Sequence, residues 1–148
     1  MNSLFFSIFC FFSLLSFTRE TANDAQAGIK VTIQDLRSNK GHVLISLFRN
    51  GNGYPDEPEK AIRKQRLSIT DRSATVTFPG LPSGQYAIAI LHDENDDEKM
   101  NKNFFGIPKE GYGFSNNVTG MFGPPSFGKA SFSYTANTDI YLRIKTRY

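Results

Sequence analysis

Beyond Gly28, apolar and polar residues alternate with period two along most of the chain. Ile29, Val31 and Ile33 are interleaved with Lys30, Thr32 and Gln34. Successive side chains of a strand point to opposite faces of its sheet, so this is a strand with one face buried. Val43, Ile45 and Leu47 repeat the pattern, with Leu44 and Phe48 on the other side. Arg37-Ser38-Asn39-Lys40-Gly41 lies between the two as a turn, and the pair reads as a hairpin.

Asn50-Gly51-Asn52-Gly53-Tyr54-Pro55 breaks the alternation, because Gly and Asn accept positive φ and Pro cannot donate to a ladder. Asp56 to Gln65 has room for one helical turn, with Pro58 in its first turn. Leu67 and Ile69 predict a third strand, and Val76 and Phe78 a fourth. Gln85 to Leu91 is the best strand in the chain. Tyr86, Ile88 and Ile90 face one way and Ala87, Ala89 and Leu91 the other. Both faces are apolar, which places it centrally. Ala130, Phe132 and Tyr134, then Ile140, Leu142 and Ile144, predict two more strands, with Asn137 and Thr138 turning between them. The result is about seven short strands and no long helix. That pattern predicts an all-β fold, an antiparallel β-sandwich, with a small β-barrel as the alternative.

The alternation fails from His92 to Phe127. This stretch carries an acidic cluster, three prolines and six Phe or Tyr residues without periodicity. Loops longer than about 12–15 residues are uncommon in compact domains unless they are functional or disordered, and this one is too aromatic for disorder. It is expected to be one long ordered loop that carries the site.

The N-terminus changes the expected compartment. Leu4 to Phe17 is an apolar run interrupted by serines, shorter than the roughly 20 residues of a spanning helix. Ala25-Gln26-Ala27 follows as an A-x-A-like cleavage site, the outline of a signal peptide over residues 1–27. The expected mature domain is 28–148, secreted or periplasmic. The alternative is an uncleaved N-terminal anchor, the only membrane contact foreseen. The single cysteine, Cys10, leaves with the leader, so disulfides and thiolate metal sites are excluded from the domain. Losing Arg19, Glu20 and Asp24 takes Lys+Arg from 17 to 16 and Asp+Glu from 14 to 12, so the formal charge moves from +3 to +4. No Lys/Arg block is dense enough to recruit nucleic acid.

Phe78-Pro79-Gly80-Leu81-Pro82-Ser83-Gly84-Gln85-Tyr86-Ala87 resembles the F-x-x-L-x-x-G-x-Y hairpin of transthyretin-like and carboxypeptidase-regulatory-like sandwiches. His92-Asp93-Glu94-Asn95, the run Gly106 to Asn117, and Pro125-Ser126-Phe127 resemble a bacterial family of exported proteins, domain-of-unknown-function family 2141. The resemblance spans roughly Ile29 to Ile144. It implies an Ig-like or transthyretin-like sandwich outside the cytoplasm and brings no activity with it. The family's acidic loop runs close to H-D-x-N-x-N-G-x-x-D. This chain has Asp97 for the second Asn, Glu98 for the Gly and Asn101 for the final Asp.

Asp93 to Glu98 holds five carboxylates in six residues. Asp93, Asn95 and Asp97 fall at alternate positions, with Asn101 beyond them, and a D-x-N-x-D run can curl oxygens around a hard cation such as calcium. Against an EF-hand loop, Glu98 stands where Gly belongs and Phe104 where a bidentate Glu belongs. A ligand from elsewhere, such as Glu110, has to complete the shell. The competing reading is a solvated acidic turn. A transition-metal site would use His92, but nothing in the sequence places His42, the other histidine, beside it.

A hydrolase reading would pair His92 with Ser115. No nucleophile elbow, P-loop or H-E-x-x-H supports it, and adjacent strand residues such as His92 and Asp93 face opposite ways. The remaining role for His92 is a structural hydrogen bond at the strand end. The aromatics Phe104, Phe105, Tyr112, Phe114, Phe122 and Phe127 either hold the loop against the sandwich or form a surface for an envelope protein or glycan. The sequence therefore predicts an exported binding module of the cell envelope without assigned catalytic residues, with a purely structural module that holds no metal as the alternative. Its metal candidates are Asp93, Asn95, Asp97 and Asn101. Its binding-loop candidates are His92, Glu110, Tyr112, Phe114, Ser115 and Asn116.

Overall fold

A computed structural model of the chain describes residues 26–148. The leader over residues 1–27, including the Cys10 reading, falls almost wholly outside the described residues.

Eight strands form two packed sheets. They are β1 (Gly28–Gln34), β2 (His42–Arg49), β3 (Arg63–Leu67), β4 (Ala74–Pro79), β5 (Gly84–Asp93), β6 (Gly111–Phe114), β7 (Phe132–Tyr134) and β8 (Ile140–Lys145). One sheet has the order β4-β1-β8, with β1 antiparallel to β4 and parallel to β8. The other has the order β3-β2-β5-β6, and β7 also pairs with β5. The fold is thus an all-β, largely antiparallel sandwich. One edge is drawn shut, because the backbones of Tyr112 and Arg147 exchange two hydrogen bonds of 2.8 Å.

The predicted alternation places the core. Ile29, Val31 and Ile33 pair in register with Phe78, Val76 and Ala74 on one side, and with Ile140, Leu142 and Ile144 on the other. They face Val43, Ile45 and Leu47 of β2 and Tyr86, Ile88 and Ile90 of β5, and together these residues form the main cluster. Burying each large side chain contributes about 1.5–3 kcal/mol.

Four local expectations are corrected. β1 and β2 are not a hairpin: the chain crosses between sheets after Gln34, because each strand's apolar face finds more cover across the sandwich than beside its neighbour in sequence. The third strand lies earlier than predicted, over Arg63–Leu67, polar except for Leu67, leaving Ile69 outside it. It is an edge strand, and its charged side chains discourage pairing with another chain. Ala130 belongs to a short helical turn, Phe127–Ala130 (α1), rather than to β7. The long loop contains β6.

β5 lies centrally and is buried on both faces. On its outer face, Ala87 and Ala89 leave space for the returning chain, and a second cluster forms there from Ala87, Phe114 and Ala130 with Tyr54, Tyr112, Val118 and Phe127. Tyr54 stands edge-on to Phe48, Phe114 and Phe127, with centroids 5.4, 6.2 and 5.8 Å away. β6 and β7 share one edge of β5 and leave a gap at Ile88. Ser115 fills it: its Oγ accepts from the Ile88 N–H at 2.9 Å and donates to the Ala130 carbonyl at 2.6 Å. Asn117 does the same for β8, accepting from the Lys145 N–H at 2.8 Å and donating to the Arg143 carbonyl at 3.0 Å.

Candidate metal centre

The last two residues of β5 part company. His92 turns inward and is fully buried. Its Nε2 lies 2.8 Å from the Lys40 carbonyl, which can only accept, so this nitrogen carries a proton. Its Nδ1 lies 2.6 Å from the hydroxyl of Tyr148, which also accepts from the Arg37 N–H at 2.8 Å. Arg37 covers the Tyr148 ring at 4.4 Å. Both His92 nitrogens are thus occupied, one tying the strand end to the C-terminal Tyr148 and the other to Lys40 ahead of β2. Ser115 Oγ is committed to Ile88 and Ala130, so the pair a hydrolase would need is not brought together.

Asp93 turns the other way, into the acidic loop, and is fully buried too. Its carboxylate accepts from the N–H groups of Asp97 at 3.2 Å and Glu98 at 2.9 Å, which curls residues 93–98 into a tight turn. Asp96 and Glu98 both take positive φ, 60° each. Glu98 therefore occupies, with a side chain, the left-handed position that usually favours glycine.

The five carboxylates of this run divide into two groups. Three point outward to cations. Glu94 is clamped by Arg37 and accepts from Ser38 Oγ at 3.0 Å. Asp96 meets His42 Nδ1 at 2.7 Å and Arg66 at 2.9 Å, and Glu98 reaches Arg66 at 3.6 Å. The Arg37 contact, helped by Ser38, holds the Glu94 carboxyl below the ordinary carboxylate range against the opposing effect of burial. His42 first, then Arg66, does the same for Asp96.

Asp93, buried, and Asp97, exposed, meet Glu110, which stands just before β6. Ligand-capable oxygens of these three lie within 4.8 Å of one another. Glu110, 4% exposed, accepts from the N–H groups of Glu94 at 3.0 Å and Asn101 at 3.1 Å. Asn95 and Asn101 bracket Asp97, donating to its Oδ2 at 3.0 and 2.9 Å, and Asn95 also donates to Asn101 Oδ1 at 2.8 Å. The Asn101 amide, then Asn95 and the Lys99 N–H, lower the Asp97 pKa. Among the described residues, no Lys, Arg or His side chain forms an ion pair with Asp93, Asp97 or Glu110. Asp93, Asn95, Asp97, Asn101 and Glu110 thus share one small polar cluster of hard oxygen donors.

The other candidates lie in the scaffold. Tyr112 and Phe114 pack in the outer cluster. Asn116, at φ 61°, donates to the carbonyls of Lys129 at 3.2 Å and Ser131 at 2.8 Å. The aromatics split: Tyr112, Phe114 and Phe127 hold the segment down, whereas Phe104, Phe105 and Phe122 stand 96, 82 and 98% exposed. Sequence reasoning missed His42, Arg37 and Arg66 as the outer partners of the acidic run. The β2–β5 register sets His42 opposite Asp93, a pairing that no signal in the sequence reports.

A family model described as "Uncharacterized protein conserved in bacteria (DUF2141)" matches residues 31–141. No curated protein and no solved structure matches the chain.

Proposed function

The chain belongs to this family of bacterial proteins, and we propose that it is an exported interaction module of the cell envelope whose fold is stabilised by calcium bound where the acidic turn meets Glu110. The observation that carries this reading is the meeting of Asp93, Asp97 and Glu110 without a cationic side chain among them. Two of the three are buried, and the remaining carboxylates of the run each have a cation. Taking charges out of water is unfavourable unless they are paired or bind a metal.

Calcium takes six to eight oxygens at flexible geometry. Asp93, Asp97 and Glu110 supply carboxylate oxygens, and the side chains of Asn95 and Asn101 adjoin them. A half-turn about each terminal torsion would present the amide oxygens in place of the NH2 groups that now face Asp97 and Asn101. Among the described residues no thiolate is present and both histidines are engaged elsewhere, so this donor set favours a hard cation over a transition metal.

Export is supported by the apolar run Leu4–Phe17 followed by Ala25-Gln26-Ala27. The two-sheet topology suits the finer likeness to transthyretin-like sandwiches. The test is thermal unfolding of the fragment Gly28–Tyr148, which holds all eight strands and both clusters, in calcium and then in excess chelator. A ligand that binds only the folded state raises its stability by mass action. The reading expects a higher midpoint in calcium that disappears in Asp93→Asn. An unchanged midpoint at millimolar calcium would leave a solvated acidic turn and remove the cation from the account.

A further inference from the structure

Between Asn101 and Lys109 the chain leaves the acidic cluster, makes a narrow hairpin and returns. The hairpin is closed by its own backbone. Lys109 N–H donates to the Asn101 carbonyl at 2.8 Å, Asn103 N–H to Ile107 at 2.8 Å, and Gly106 N–H to Asn103 at 2.9 Å. Inside the tip, Asn103 Oδ1 accepts from the N–H groups of Phe105 at 2.9 Å and Ile107 at 3.0 Å. This leaves few polar groups unsatisfied at the tip and fixes where its side chains point.

Those side chains are apolar and open to solvent. Phe104 is 96% exposed, Phe105 82% and Ile107 58%. The two rings stand edge to face, with centroids 5.5 Å apart. A Cβ added at Gly106 would meet nothing within 4 Å, so the tip is convex and free of neighbours. Exposed apolar groups gathered on a preformed support mark a contact site. The charges beside them have one sign: from Lys99 to Lys109 the chain carries Lys99, Lys102 and Lys109 and no acidic residue. Of the carboxylates that flank this stretch, Glu110 is buried in the protein, Asp97 is held by its asparagines and Glu98, though exposed, is drawn toward Arg66 at 3.6 Å.

We propose that this hairpin tip is a wedge for an anionic bilayer surface. Phe104, Phe105 and Ile107 enter the boundary between headgroups and acyl chains, and Lys102 and Lys109 lie at headgroup level. Aromatic and aliphatic side chains enter that boundary, and long cationic ones keep their charge at the headgroups with their stems along the apolar layer. Basic residues near an anionic leaflet add attraction that salt screens. Among the described residues no helix is long and apolar enough to cross a membrane. The proposal deepens the interaction-module reading by naming its partner, and it does not depend on the cation.

The test is co-sedimentation of the fragment Gly28–Tyr148 with vesicles of phosphatidylcholine alone and of phosphatidylcholine mixed with phosphatidylglycerol, each in calcium and in chelator. The protein is expected on the anionic vesicles in both conditions. The F104S/F105S variant should bind at least about tenfold more weakly, while K102Q/K109Q should lose only the preference for anionic over neutral vesicles. All four positions are exposed, so the parent's unfolding midpoint should be kept. Three results would overturn the wedge. One is no binding to anionic vesicles. Another is binding that ignores the phenylalanines. The third is a parent protein that self-associates on gel filtration while F104S/F105S does not, which would make a second copy the occupant. A failed calcium shift in unfolding removes the cation alone and leaves the vesicle result standing.

Discussion

Replacing Glu110 with Gln separates a cation site from an ordinary buried carboxylate, because the two predict different behaviour with and without calcium. In chelator, two effects oppose each other. Glu110 and Asp93 are both buried with oxygens no more than 4.8 Å apart. At an effective dielectric constant near 20, two unit charges at that spacing repel by roughly 3.5 kcal/mol. Glu110→Gln removes this repulsion. It also removes one of two acceptor oxygens, so either the Glu94 or the Asn101 N–H loses its partner, which costs about 1–3 kcal/mol. The net change in chelator is therefore a modest stabilisation of roughly 0.5–2.5 kcal/mol. In calcium the parent gains about 2.7 kcal/mol when the ion stands at a hundred times its dissociation constant. For a domain of this size that is a midpoint rise of roughly 8–13 °C. The variant lacks most of that rise. The assay is urea and thermal unfolding of parent and variant in both conditions, read as a cycle with a coupling of about 2–3 kcal/mol. A variant destabilised equally in calcium and in chelator would refute the reasoning, because Glu110 would then serve only its two N–H donors.

Further outcomes follow from other contacts. Ser115→Ala leaves the Ile88 N–H and the Ala130 carbonyl buried without their partner, and urea unfolding should show a loss of about 1–3 kcal/mol. Tyr54→Phe should stabilise by up to about 1 kcal/mol in the same assay: the Tyr54 hydroxyl is buried with no hydrogen-bond partner among the described residues, and burial, with Asp56 adding to it, pushes its pKa up. Arg37→Ala should weaken the protein above the ordinary carboxylate pKa and flatten its acid limb. The folded Glu94 pKa is depressed, chiefly by Arg37. Its contribution is therefore full above the unfolded value of about 4.3 and is lost as pH falls through the folded value. Unfolding midpoints from neutral pH down to acid check this, and parallel curves for parent and variant would contradict it.

The strands were legible because period-two alternation reports which side chains share a face. β5 was legible as the central strand because Ala87, Ala89 and Leu91 make its second face apolar. Alternation does not say which strand lies beside which, and so β1 and β2, joined by a turn-rich segment, resemble a hairpin although they sit in different sheets. β6 was hidden for a local reason. Its core-facing position is Gly113, where a Cβ would come within 2.7 Å of the Lys145 carbonyl. The close approach of β8 demands a residue that carries no hydrophobic signal.

The acidic run showed its composition but not its sorting. Asp93 and Asp97 differ from Asp96 and Glu94 only through the turn set by Asp93 and the register that brings His42, Arg37 and Arg66 alongside. The aromatic positions show the same limit. Phe114 and Phe104 are equally apolar, yet one packs on Ala89 across the sheet and the other stands on a hairpin tip, because Asn103 closes that hairpin on itself.

The central claim is a cation held by Asp93, Asp97 and Glu110, and the most direct measurement is a crystal structure of Gly28–Tyr148 grown in saturating calcium, with anomalous differences collected for the ion. The account predicts one peak among these carboxylates, with their oxygens about 2.3–2.6 Å from it and the Asn95 and Asn101 amides turned toward it. A map without a peak there, with Asn95 and Asn101 still donating to Asp97, would contradict it.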